Sequence, residues 1–102
     1  MINFKTESEL TEILKSFDAP KLTYKDKLDA GPDEELYFFE DNDGNKYGLW
    51  SRDYMSELKY EANGLKNDFD INLEKWVTTT NGEAMAYSDG YWFALFKIIN
   101  NK

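Results

Sequence analysis

The stretch GPDEELYFFEDNDGN, residues 31–45, holds six carboxylates and no lysine or arginine. Carboxylates at this density can do three kinds of chemistry. They can hold a hard cation, work as an acid–base pair, or present a row of negative charge that imitates nucleic-acid phosphates. Spacing tests the first. A calcium loop begins at Asp, takes acid or Asn at its third and fifth positions, Gly at the sixth and Glu at the twelfth. Counting from Asp41 gives Asp43 and Asn45, but Lys46 and Arg52 then fall on the sixth and twelfth places. Setting Gly44 sixth puts Phe39 first. The types in Asn42-Asp43-Gly44-Asn45 favour turn chemistry instead. No metal site and no cofactor is expected.

The second chemistry finds little support. With 20 acids in 102 residues, some pair lies close by chance, and nothing marks one pair as special. Histidine and cysteine are both absent. That removes the commonest general base, thiol catalysis, disulfides and zinc–thiolate sites. Ser51 and Ser88 therefore have no histidine partner. No Gly-rich phosphate loop is present, and a chain this short leaves little room for a pocket. The expectation is a protein that is not an enzyme. A small carboxylate-dependent enzyme or magnesium site remains an alternative.

The third chemistry fits the charge distribution. Between Leu28 and Asn45 stand seven acids (Asp29, Asp33, Glu34, Glu35, Glu40, Asp41 and Asp43) and no base. The rest of the chain carries 13 acids against 12 bases, so −7 of the net −8 sits in this window. Side chains at i and i+2 of a strand share a face about 7 Å apart. Asp33, Glu35 and the Glu40/Asp41/Asp43 end are thus expected to form a row. Such charge attracts basic protein surfaces and repels nucleic acid and anionic membranes. Tyr37, Tyr47 and Trp50 could add anchoring area, although each taken singly is favoured as core. The aromatic run 91–96 lacks the basic surroundings of a base-stacking platform and reads as sheet core.

The elements that must position these residues are legible in outline. Thr6-Glu7-Ser8-Glu9 is a capping box, and Leu10, Ile13, Leu14 and Phe17 follow on one helical face until Asp18-Ala19-Pro20. KLTYK (21–25) suits a short strand, and 29–33 with Gly31-Pro32 suits a loop. ELYFFED (35–41) and KYGLWS (46–51) flank a hairpin turn at 42–45. Leu36 and Phe38 fall on one face and Tyr37 and Phe39 on the other, so this hairpin needs cover on both sides. Residues 53–63 suit a second short helix, capped by Asp53, with Tyr54, Leu58 and Ala62 on one face and Asn63-Gly64 as the stop. Phe69, Ile71 and Leu73 alternate with polar residues as in a strand. WVTTT (76–80), EAMAYS (83–88) and YWFALFKII (91–99) are joined by Asn81-Gly82 and Asp89-Gly90, which predicts a three-strand meander. The expectation is one α+β domain spanning 1–102: an N-terminal helix and a short second one on a mostly antiparallel sheet of five or six strands, with hairpins at 42–45, 81–82 and 89–90. No apolar run approaches 18 residues, and the start lacks the basic head and apolar stretch of a secretory signal, so a cytoplasmic protein with no membrane partner is expected.

With its size, its acidic block 29–43 and its Asn-Asp-Gly-Asn-Lys-Tyr hairpin (42–47), the chain resembles the small, acidic, cysteine-free proteins that phages make against host defence nucleases, the anti-CRISPR proteins above all. The resemblance implies an inhibitor whose carboxylates occupy an effector's nucleic-acid groove as phosphate mimics. The expected partner is a basic protein surface, that of a CRISPR effector nuclease or another nuclease, without direct nucleic-acid binding. Asp29, Asp33, Glu34, Glu35, Tyr37, Glu40, Asp41, Asp43, Tyr47 and Trp50 are the expected contact residues. The same surface would serve an immunity protein that neutralises a bacterial toxin.

Overall fold

The structure is a computed structural model that describes residues 5–31, 33–53 and 58–99. Two helices and six strands follow in the order α1 (Glu7–Leu14), β1 (Thr23–Gly31), β2 (Glu34–Glu40), β3 (Lys46–Arg52), α2 (Leu58–Phe69), β4 (Leu73–Val77), β5 (Ala86–Ser88) and β6 (Tyr91–Ile98). All pairings are antiparallel, in the order β1-β2-β3-β6-β4, with β5 also on β6. The fold is the expected α+β. Among the described residues, no helix is long and apolar enough to cross a membrane.

The two apolar faces of β2 and β3 each find cover. On one face Leu10, Ile13 and Phe17, from α1 and the turn after it, pack with Tyr37, Phe39, Tyr47, Leu49, Phe93 and Leu95. On the other, Leu65 of α2 and Ile71 pack with Leu36, Trp50, Ala94 and Phe96. Each of the leucine, isoleucine and phenylalanine side chains among these contributes roughly 1.5–3 kcal/mol gross when removed from water. The capping box forms as expected: the Glu9 amide donates to the Thr6 hydroxyl at 3.2 Å, and the Thr6 amide donates to the Glu9 carboxylate at 3.0 Å. Leu14 stays half-buried, on the flank of the stripe.

The structure differs from the expectation in four places. Phe69, Ile71 and Leu73, expected to alternate in a strand, do not: Phe69 closes α2, residues 70–72 are irregular, and only Leu73 enters β4. The loop at 29–33 is mostly strand: β1 runs nine residues to Gly31, and Gly31 pairs with Glu34 across a tight turn. The second helix runs through Asn63-Gly64 to Phe69 instead of stopping there, because Leu65 and Phe69 carry its apolar stripe onward. It ends at Asp70, which takes a left-handed conformation (φ 55), while the amides of Asp70 and Ile71 reach the carbonyls of Lys66 and Leu65. The segment 54–57, where the sequence places the start of this helix, lies outside the described residues. The three-strand meander is also replaced. Asn81-Gly82 turns the chain, with Gly82 at φ 82, but β4 and β5 do not pair with each other. They lie end to end along one edge of β6, against Leu95–Ile98 and Tyr91–Phe93 respectively. The excursion between them pairs instead with the chain after α1, through the Phe17–Thr79 bridge.

Two glycines separate packing from propensity. Gly48 lies directly beneath the Phe96 ring, and a Cβ there would overlap three atoms of that ring. Gly48→Ala is expected to cost about 1–3 kcal/mol through overpacking. Gly64 is helical, and a Cβ there would meet the Trp50 indole at 3.8 Å, an ordinary contact. Gly64→Ala should stabilise the protein by about 0.5–1 kcal/mol. Urea denaturation of both variants checks the pair; effects of the same sign would contradict this account.

Candidate functional site

The acidic block does not form one row. β2 rises about 3.3 Å per residue, so its two ends stand roughly 20 Å apart. Asp29, Asp33, Glu34 and Glu35 gather at one end, and Glu40, Asp41 and Asp43 at the other.

The second group is largely absorbed by local structure. The Asp41 carboxylate accepts from the amides of Asp43 and Asn45, both at 2.9 Å, and from the Asn45 side chain at 3.0 Å. These bonds, that from the Asn45 side chain foremost, hold its carboxyl below the usual aspartate range. Asp41 therefore builds the hairpin loop, which closes with Gly44 at φ 83. Glu40 is half-buried and stands opposite Lys46, and the Lys97 ammonium also acts on Asp41. Asp43 alone projects freely at the tip.

The first group is joined by acids that are distant in sequence. Gly31 pairs with Glu34, Glu34 with Arg52, Arg52 with Trp92, and Ser88 with Tyr91. The β1–β2 turn, the exit of β3 and the β5–β6 turn therefore share one end of the sheet. They bring Asp33 and Asp53 near Tyr91 and set Asp29 and Asp89 at the two sides of this same end, on β1 and on the β5–β6 turn; all four are exposed. Asp53 and Asp33 both lie close enough to Tyr91 to hold its hydroxyl above the ordinary phenol range, Asp33 contributing most. The Tyr91 hydroxyl donates to Asp33 at 3.3 Å. We call this end the acidic pole. The Asp89-Gly90 turn signal marks Asp89 as a turn residue, but β3, β4 and β5 all run antiparallel to β6, so only the observed pairings place that turn at the same end as Asp33.

Glu34 and Glu35 sit on opposite faces beneath the pole. Glu34 accepts from the Trp50 indole at 2.6 Å and lies 3.9 Å from Arg52, whose guanidinium is 5.5 Å from the Trp50 ring centre. Glu35 is only 6% exposed. Its carboxylate accepts from the Tyr37 hydroxyl at 3.2 Å, and that oxygen in turn accepts from the Lys5 amide at 3.0 Å. Burial pushes the Glu35 carboxyl up, against the opposing pull of the Tyr37 bond and the Lys5 ammonium. Burial also pushes the Tyr37 phenol well above its usual value.

Several expected contact residues are thereby reassigned. Tyr37, Tyr47 and Trp50 are 0%, 6% and 2% exposed, so they are core and offer no anchoring area. Glu35 lies under α1 and drops out of the row for the same reason. Asp29, expected in a loop, projects from edge strand β1. Among the described residues, no group of three or more acids could hold a metal ion. No protein-family model matches this chain, and no curated protein matches it.

Glu35 gives the pole a pH signature. Its folded-state pKa lies above the ordinary 4.5, so the folded chain holds this proton more tightly than the unfolded one. The stability it contributes is present below the ordinary value and is lost as pH rises through the folded value. Glu35→Gln keeps an acceptor for Tyr37 but does not titrate. Its stability relative to the native protein should therefore grow between about pH 4 and pH 7. Urea denaturation at the two pH values tests this, and a relative loss at pH 7 would contradict it.

Proposed function

We propose that this protein is a non-enzymatic inhibitor of a nucleic-acid-handling enzyme, a CRISPR effector nuclease in the first instance, and that it acts in the bacterial cytoplasm by placing its acidic pole in a basic nucleic-acid groove. The observation that carries this reading is the exposed set Asp29, Asp33, Asp53 and Asp89 at one end of the sheet. These carboxylates come from three separate chain segments held by a rigid sheet, so they are presented without ordering cost at binding. A groove lined with lysine and arginine meets them as it would meet phosphates, with steered and salt-sensitive association. The resemblance in size and acidity to phage anti-defence proteins points the same way.

A pull-down from lysates expressing CRISPR effectors and bacterial nucleases, repeated across a salt series, tests the reading. Capture of one nuclease should weaken with salt and be competed by that enzyme's nucleic acid. The triple reversal Asp29→Lys, Asp33→Lys and Asp89→Lys should lower its affinity by more than about 100-fold while the far-ultraviolet spectrum stays native. Asp43→Lys, at the opposite end, should change it by less than about threefold. Capture that ignores both salt and the triple reversal would overturn the proposal. Capture of a toxin encoded beside this chain would assign the same surface to immunity.

A further inference from the structure

One rung of the sheet runs directly under the acidic pole. Asp29 pairs with Glu35, Glu35 with Ser51, Ser51 with Phe93, and Phe93 with Ala86. Paired residues of antiparallel strands share a face, and Phe93 places this rung on the α1 side. At its centre the Ser51 hydroxyl is fully buried and has no hydrogen-bond partner among the described residues. Buried polar atoms are nearly always satisfied, so an orphan marks a place where a further group belongs. Beside it Glu35 is buried with one carboxylate oxygen engaged by Tyr37.

A cation already lies over this rung. The Lys5 main chain is fastened by its amide to the Tyr37 hydroxyl. Its ammonium lies 5.6 Å from the centre of the Phe93 ring and 5.7 Å from that of Tyr91. Both distances suit cation–π attraction. Tyr91 is bonded to Asp33, so the ring that receives the cation is itself held by a carboxylate. An open cleft of about 290 Å³ between α1 and the β5–β6 hairpin reaches Lys5, with Tyr87 and Asp89 on its far wall. Tyr87 is 60% exposed.

We propose that Tyr91, Phe93, Glu35 and Ser51 form a cation seat that Lys5 fills in the unbound chain, and that a lysine or arginine side chain of the basic partner displaces Lys5 through the adjoining cleft. The proposal rests on the acidic-pole reading and names the group that the pole recognises. An arginine suits the seat better than the resident lysine. Its planar guanidinium stacks on the rings and still donates sideways to Glu35 and to the Ser51 oxygen. Self-occupancy lowers the apparent affinity for any competing cation by the fraction of molecules whose seat is free.

The test is titration of the full chain with a blocked hexa-arginine peptide at low salt, followed by calorimetry and by proton resonances. Lys5→Met keeps an unbranched apolar stem and the amide bond to Tyr37 but removes the ammonium from the seat. It should bind hexa-arginine about threefold or more tightly than the native chain, and adding Tyr91→Leu should remove the gain. In the native chain, the Lys5 ε-methylene protons are shielded by the two rings and should move to solvent values as the peptide saturates. This second readout needs no variant. Equal or weaker binding by Lys5→Met, or saturation with the Lys5 signals unmoved, would overturn the seat. If that peptide binding is still lost on reversal of Asp29, Asp33 and Asp89, the acidic pole survives without the seat. Release of Lys5 by hexa-arginine with no nuclease captured would support the seat and count against the nuclease reading.

Discussion

Everything else in this fold leans on β6. Four consecutive residues, Phe93 to Phe96, are fully buried, and they alternate between the two cores. β3 pairs along one side of β6, and β4 and β5 share the other. A strand buried on both faces and paired on both edges cannot shift its register by one residue without sending Phe93 and Leu95 into the space of Ala94 and Phe96. The Phe96 ring lying on Gly48 locks that register further, because only a residue without Cβ leaves room for it. The Trp76 ring packs edge-on against Phe96 at 5.7 Å and continues the contact onto β4.

The acidic pole follows from this registration. Once β6 is fixed, the ends of β1, β3 and β5 fall at one end of the sheet, and the acids in or beside their turns are brought there by strand pairing, with Asp33 further held by the Tyr91 hydroxyl. Turn chemistry supplies the acids for a separate reason. Asp33 and Asp89 occupy left-handed backbone (φ 57 and 52), where aspartate is better tolerated than most side chains. The same residue type thus meets a backbone demand and a charge demand at one position.

Signals confined to a few residues were the most legible in the sequence. The capping box at Thr6–Glu9, the Asp-Gly turns at 43–44 and 89–90 and the two-faced run Leu36–Phe39 needed only local geometry, and each took the expected form. Asn63-Gly64 misled because its stop signal is worth about 1 kcal/mol, less than burying Leu65 against Trp50 and Phe96. The Asn81-Gly82 turn was legible, but its strand partners were not. β4 had a better edge available on β6, and the choice between edges is made by long-range packing. The ten expected contact residues divide along the same line. Residue type identified the carboxylates, but only the fold shows that Glu35, Tyr37, Tyr47 and Trp50 are enclosed while Asp53 and Asp89 join the surface.

The net charge of the block therefore overstates what a partner meets. Screening at physiological salt has a length of about 8 Å, so groups roughly 20 Å apart along β2 act almost independently. Asp41 is occupied by its own loop, Glu40 faces Lys46, and Glu34 is held by Trp50 and Arg52. The field at the pole is set instead by the four exposed aspartates, of which two lie outside the block. Charge density read along the chain and charge density read across the surface are different quantities. In this fold the second is governed by which turns share an end of the sheet, and a basic surface docking there would meet a band of exposed aspartates laid across the strand ends from β1 to the β5–β6 turn.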